Sequence, residues 1–391
     1  MTDPDSKRTT SISSVFREPL PMTTIRTLSA CRDCLTFGFT SRHPRNRFAR
    51  SFAAALALIM VFSLLPIGTL QAQDRIFPAD DATAIGKITS RTPDEIRIDV
   101  RGKEQVYPVA EVLKVVFDGE PRGLDRARDF VLQEQYDQAI DELKKINPAE
   151  LNSDAVKEDF SFYVSYCRAK LGMLGKDDPA AAVPPLLRII RNNPNTHHAH
   201  AINSTVGQLA ALLGRDPTSF YAKLASARAA SVRAEGAWLL GRYNLYAGQV
   251  AKARSAFETV TKLSDTSEKT QKYKRLCEVN LARCDIDKGN PLAVLDTLGK
   301  LATKYDSSEQ ELFAHLSNAR GACYQKLGKP DQALVRFLQT DLMFFTAPQP
   351  HAEALSELSG LWKQAGEPSR AADARKRLQE LYPSSQFAKQ N

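Results

Sequence analysis

Two textures of hydrophobic and polar spacing divide the chain. Between Ala84 and Pro121, short β-branched runs alternate with turn residues, and Ile96-Arg97-Ile98-Asp99-Val100 alternates strictly, the period of a half-buried strand. TPDE before it and RGK after it are turn signals. Val106–Val109 and Leu113–Phe117 are further strand candidates, joined through Ala110-Glu111-Val112. The pattern predicts a small antiparallel meander of about four strands within residues 80–121, in outline similar to Sm-like or SH3-like barrels. A module of about 40 residues buries too little surface to stand alone, so it is expected to dock on the rest of the chain or on a second copy. Across residues 123–388 the spacing becomes helical, with short breaks containing Gly, Asn or Pro. Pro184 and Pro185 are expected in the first turn of a helix, because a proline further inside removes a backbone hydrogen bond.

The helical part repeats itself. Gly321, Tyr324, Gly328, Ala333 and Phe337 in RGACYQKLGKPDQALVRFLQ have counterparts Gly241, Gly248, Ala253 and Phe257 in GRYNLYAGQVAKARSAFETV. Looser copies place Ala282, Gly289, Val294 and Leu298, then Trp362, Gly366, Ala371, Leu378 and Pro383. Upstream copies contain Ala127, Tyr136, Ala139, Leu143 and Pro148, then Ala169, Ala182, Leu186 and Pro194, and residues 208–227 form a degenerate copy. The offsets have a packing logic. Gly321 and Ala333 are small where two helices cross, and a larger side chain would push the backbones apart. Gly328 suits the left-handed residue past a helix C-terminus. Ala333 and Phe337, four apart, share one face of the second helix. Tyr324 and Phe337 are expected to fill the space towards the next pair, and prolines such as Pro194 and Pro383 to stop second helices.

These residues resemble the tetratricopeptide (TPR) repeat family over roughly residues 123–387. The resemblance implies a mainly α fold: a right-handed superhelix of antiparallel helix pairs, about six or seven units, preceded by the small antiparallel β module. The alignment alanines and their equivalents fall near 139, 182, 253, 294, 333 and 371, mostly close to 40 residues apart, whereas the family's unit has 34. Longer helices or loops are therefore expected, and armadillo- or HEAT-type repeats are the structural alternative. In TPR arrays the first helices line the concave face. The resemblance thus offers Trp238, Arg242, Leu245, His315, Asn318 and Gln325 as partner-contact candidates, with packing between repeats as the competing role for Trp238. The family's carboxylate clamp of Lys and Asn is not visible, so a C-terminal peptide ligand is not implied.

Charge changes the picture only at the start of the chain. The net charge of +8 suggests nucleic acid, but residues 1–50 hold nine Lys/Arg against four acids and residues 51–72 hold none, leaving +3 for the remainder. No basic stripe remains to follow a phosphate backbone. Residues 1–50 read as a disordered basic leader. Its RHPRNRFAR run precedes apolar Phe52–Leu65 and the exit PIGTLQAQ, the order of a secretory signal peptide. An uncleaved anchor is the alternative, since Phe52–Leu70 is uncharged and just long enough to span a bilayer. Pro66 and Gly68 favour cleavage after Ala72, and the unusual length of the region before the apolar run points to a later start, at Met22. No Cys follows the apolar run, which argues against a lipid anchor. Cys31 and Cys34 belong to this leader. Cys167, Cys277, Cys284 and Cys323 are too scattered for a disulfide framework and are expected as buried thiols.

Catalytic and cofactor patterns are sparse. His197, His198 and His200 form the one histidine cluster; without an evident third ligand they read as a loop leading into a helix, and no metal is expected. GMLGKDD lacks the phosphate-loop spacing, and neither a G-x-S-x-G nor an H-E-x-x-H motif occurs. Asn203-Ser204-Thr205 is a formal sequon inside an expected helix. The sequence therefore points away from an enzyme and from any cofactor. It points to an exported scaffold or assembly adaptor binding other proteins, not nucleic acid, and meeting the membrane only through residues 51–72. Two alternatives are a membrane-anchored protein with its solenoid outside the cytoplasm, and an enzyme or carbohydrate-binding protein using the β module.

Overall fold

The computed structural model describes residues 73–389; the leader, its apolar segment and Cys31 and Cys34 lie outside them. The described chain opens with five antiparallel strands, β1 (Asp74–Pro78), β2 (Ala84–Arg91), β3 (Glu95–Val100), β4 (Lys103–Pro108) and β5 (Val112–Val116), in the spatial order β4-β3-β2-β1-β5. β1 lies before the residue-80 boundary expected from the pattern. DRIFP is short and adjoins the leader, so periodicity alone does not mark it. It is nevertheless the strand that joins the meander to β5, pairing Ile76 with Ala84 on one side and with Val115 on the other. Alternation sends Ile76, Ala84, Ile96, Ile98 and Val115 to one face, where they share a core with Leu124, Ala127 and Phe162. Each of the Ile, Val, Leu and Phe side chains contributes about 1.5–3 kcal/mol when taken from water. The module thus docks on the helices of the first pairs.

Among the described residues fifteen helices succeed the sheet, and fourteen of them form seven antiparallel pairs. The first helices are α1 (Arg122–Leu132), α3 (Asp154–Met173), α5 (Ala199–Leu212), α7 (Ala230–Tyr246), α9 (Glu268–Cys284), α11 (Gln310–Lys326) and α13 (Pro348–Gln364). Their partners are α2 (Tyr136–Leu143), α4 (Val183–Asn192), α6 (Thr218–Ala225), α8 (Val250–Thr261), α10 (Pro291–Lys304), α12 (Pro330–Met343) and α14 (Pro368–Leu381), and α15 (Gln386–Lys389) closes the array. Local chemistry sets several starts. The Ser153 hydroxyl accepts from Val156 N–H and the Asn290 side chain from Leu292 N–H, while Pro291, Pro330, Pro348 and Pro368 occupy first turns. Pro184 and Pro185 fall in the first turn of α4, where their missing N–H groups cost nothing.

Each first helix packs on its own partner and on the first helices before and after it. That ladder makes a TPR-like α-solenoid, and it buries continuous cores because no pair covers its own apolar face. Within a pair, the small residue faces an aromatic ring. A Cβ on Gly241 would lie 2.5 Å from the Phe257 ring, and one on Gly321 2.7 Å from Phe337. The clash avoided is thus with the partner's ring rather than with its backbone. Ala253, Phe257, Ala333, Phe337 and Ala371 are buried, and Tyr324 packs beside Phe337 against the next pair. Gly248 and Gly328 both take positive φ, 73° and 66°, as the residue past the first helix, and the N–H after each reaches back to close it. Pro383 follows the end of α14 in an exposed turn. Cys167, Cys277, Cys284 and Cys323 are buried free thiols, and burial raises the pKa of each. No helix of the described residues is long and apolar enough to cross a membrane.

Candidate interaction face

The first helices turn one stripe each towards a common inner face. On α7 that stripe is Glu235, Trp238, Arg242 and Tyr246, spaced by three or four residues so that they stack along one side. On α9 it includes Tyr273 and Arg283, on α11 Glu311, His315 and Asn318, and on α13 Glu353 and Glu357. At the C-terminal end the stripes meet. The buried Glu353 carboxylate accepts a hydrogen bond from the Tyr246 hydroxyl at 2.9 Å, another from Asn318 Nδ2 at 2.9 Å, and one from Arg283. Burial would raise the pKa of Glu353, but Arg283 and these donors outweigh it and hold the carboxyl below its ordinary value. The winding is therefore tight enough for α7 and α13, three pairs apart, to touch.

One layer towards the N-terminus lies an aromatic cluster. The Arg242 guanidinium sits 4.4 Å above the Trp238 ring, Tyr273 lies 5.5 Å from that ring, and His315 meets it edge-on at 6.2 Å. Trp238 Nε1 and both ring nitrogens of His315 are buried without a hydrogen-bond partner. Burial first, and then the nearby Arg242, push the His315 pKa down to about 4, against an upward pull from Glu311 that burial outweighs. Further along, the face opens to solvent. Lys272 Nζ bonds Glu311 at 2.9 Å with side chains 50% and 32% exposed, and the Ser204 hydroxyl donates to half-buried Glu235. Tyr166 of α3 stands 6.2 Å from Tyr136 of α2. Burial and then Glu235 raise the pKa of Tyr166, and burial, Glu235 and Glu311 raise that of Tyr273. Groups from α3, α7, α9 and α11 therefore act on one surface.

The six residues offered as partner contacts do gather on this face, but not all at its surface. Trp238, Arg242, His315 and Asn318 are 4%, 6%, 1% and 0% exposed, because the tight winding packs them on neighbouring first helices. Leu245 is half-buried against the same core, and Gln325 alone is exposed, its Nε2 donating to Glu357 at 2.7 Å. The accessible part instead holds Tyr136, Tyr166, Glu235, Lys272, Tyr273 and Glu311. Continuing each stripe one turn towards the helix start finds two of them, since Glu235 precedes Trp238 by three residues and Glu311 precedes His315 by four. His197 and His198 lie beside buried Asp159, separated from Tyr166 of this face by the Phe162 ring, while His200 approaches Asp94 at 3.4 Å.

No protein-family model and no curated protein matches the chain. Solved structures do. A tetratricopeptide repeat protein from Parabacteroides merdae is 15% identical over 68% of this chain and 96% of its own, with a TM-score of 0.46. A Rap protein complexed with competence and sporulation factor is 16% identical over 67% of this chain and 76% of its own, with a TM-score of 0.46. The TPR domain of P58(IPK) is 15% identical over 68% and 76%, with a TM-score of 0.26. At these identities and scores the fold rests on the helix pairs described above.

Proposed function

We propose that this protein is a non-catalytic protein–protein interaction scaffold or assembly adaptor of the bacterial cell envelope, taking an extended polypeptide on the inner face of its solenoid. One observation carries the reading: Tyr136, Tyr166, Tyr273, Glu235 and Glu311, from five different helices, share a concave surface while remaining partly open to solvent. Half-covered tyrosines beside carboxylates suit a polypeptide, because an aromatic ring supplies large contact area for little lost rotamer freedom. The buried Trp238–His315 layer beneath acts as its rigid floor. The envelope setting rests on the cationic run and apolar segment of the leader.

The test is affinity capture from the native envelope with the wild-type chain and with Tyr166→Ala/Tyr273→Ala. A discrete set of proteins held by the wild type and lost by the double variant is expected. Equal capture by the two chains, or nothing above a scrambled-surface control, rejects the reading. A sequenced mature N-terminus near Gln73 would separate an exported protein from an anchored one.

A second reading is favoured by an open cleft of about 1610 Å³ along the β module, lined by Lys87, Arg91, Arg101 and Tyr107 among others. There the module, rather than the solenoid, would take a small ligand such as a carbohydrate. A chain lacking residues 74–121 that still captures the native partners removes that case.

A further inference from the structure

Where the β module meets the solenoid, three donor atoms from two distant parts of the chain converge. Asp159 lies on α3, and His197 and His198 stand just before α5. His198 Nε2 is 2.6 Å from Asp159 Oδ1, and His197 Nε2 is 3.6 Å from the same oxygen. All three residues are at least nine-tenths buried. The other carboxylate oxygen, Oδ2, is held by Arg128, whose Nε donates at 3.0 Å and which is itself paired with buried Glu120. One side of Asp159 is thus fixed by an arginine while the other faces two imidazoles.

Only one of the two rings reaches that oxygen within hydrogen-bond distance. His198 takes the hydrogen bond and stacks 3.7 Å from the Phe162 ring, whereas His197 Nε2 stays beyond hydrogen-bond range. His197 Nδ1 is buried with no partner either, which leaves that nitrogen without compensation for the water it has lost. From this geometry we propose a binding site for one divalent transition-metal ion of the zinc type, with His197 Nε2, His198 Nε2 and Asp159 Oδ1 as ligands and a water molecule as the fourth. Imidazole and carboxylate are the donors zinc accepts, and Arg128 occupies the orienting position that such ligands generally have. Donors about 2.0–2.2 Å from a tetrahedral ion stand about 3.3–3.6 Å apart, so the His197–Asp159 separation of 3.6 Å already fits and His198 swings away by under about 1 Å.

The charges agree. Arg91 and Arg128 stand against Glu120, Glu158 and Asp159 in this cluster, leaving one negative charge for a cation to meet. Among the described residues no other three His, Cys or carboxylate side chains converge in this way. The ion would staple α3 to the segment entering α5, next to Phe117 at the end of the sheet.

Because the donors are buried, the untagged full-length chain is refolded with and without zinc, and separately with cobalt(II), then freed of loose metal by gel filtration. One equivalent of zinc, a higher Tm with metal, and the visible bands of tetrahedral cobalt are expected. His197→Gln removes a donor but no existing hydrogen bond, so it should fold without metal as the wild type does and lose about 100-fold or more in affinity. Substoichiometric metal in the wild type, or equal retention by His197→Gln, overturns the proposal and leaves a metal-free His–Asp pair. Should the variant fail to fold, the wild-type cobalt spectrum decides: its bands uphold the site and their absence refutes it.

Discussion

At the residue scale, the seven pairs depend on what can stand at two kinds of position. Gly321 and Gly241 exist because a phenyl ring occupies the space their side chain would take. Gly321→Leu is therefore expected to cost at least about 1–3 kcal/mol, against no more than about 0.5 kcal/mol for Lys329→Leu on the exposed rim. Chemical denaturation of the two variants measures the difference, and equal losses would place the repeat register elsewhere. The second kind of position is the left-handed residue past a first helix. Gly175, Gly214, Gly248, Gly328 and Gly366 fill it in other pairs, but after α1 it is Glu134, with φ of 59°. Glu134→Gly should raise stability by about 0.5–1 kcal/mol, because glycine adopts that conformation without a Cβ penalty. An unchanged or lower midpoint would contradict this.

His315 adds a pH dependence with a definite sign. Unfolded, the imidazole titrates near 6.5; folded, burial and Arg242 hold it down to about 4. Between these values the unfolded chain binds more protons, so this residue's share of stability is intact above about 6.5 and drains away as pH falls to 4. The loss is on the order of 3 kcal/mol for this group. Stability measured from pH 7 to 4 should slope less in His315→Gln than in the wild type, and parallel slopes would show that His315 is not held neutral.

At the scale of elements, spacing within one repeat reports how a helix meets its partner but not how far the superhelix turns. That is why the small–aromatic code of Gly241–Phe257 and Gly321–Phe337 is legible in the sequence. Gly207 facing Tyr221 obeys the same rule, with a ring 2.5 Å from a would-be Cβ. Its interval is two residues shorter than the others, so aligning the repeats does not reveal it. For the same reason Trp238, Arg242, His315 and Asn318 can be placed on the right face from their spacing but not at the right depth. Their burial comes from contacts between successive first helices, which no single helix encodes. The Asp159–His198 contact spans 39 residues and is equally invisible, since a lone Asp among many carries no periodic signal. Glu353 shows what such long-range contacts do. It ties α7, α9 and α11 to α13, so Glu353→Ala leaves Arg283 buried without its counter-charge. Removing one member of a buried pair of this kind costs about 3–5 kcal/mol, and the midpoint of denaturation should fall accordingly. A change below about 1 kcal/mol would mean the inner network is open to water.

On the scale of the whole molecule, the sheet caps the first pairs and the inner network closes the last ones, leaving the middle of the concave face as the accessible stretch. A polypeptide partner is expected to sit there. The most direct test is site-specific photo-crosslinking in the native envelope, with the reactive side chain at Tyr273 on the inner face or at Lys300 on the outer face, where the side chain is 77% exposed. Discrete adducts from position 273, absent from position 300, are the predicted result. Adducts from position 300 alone, or the same adducts from both, would contradict it.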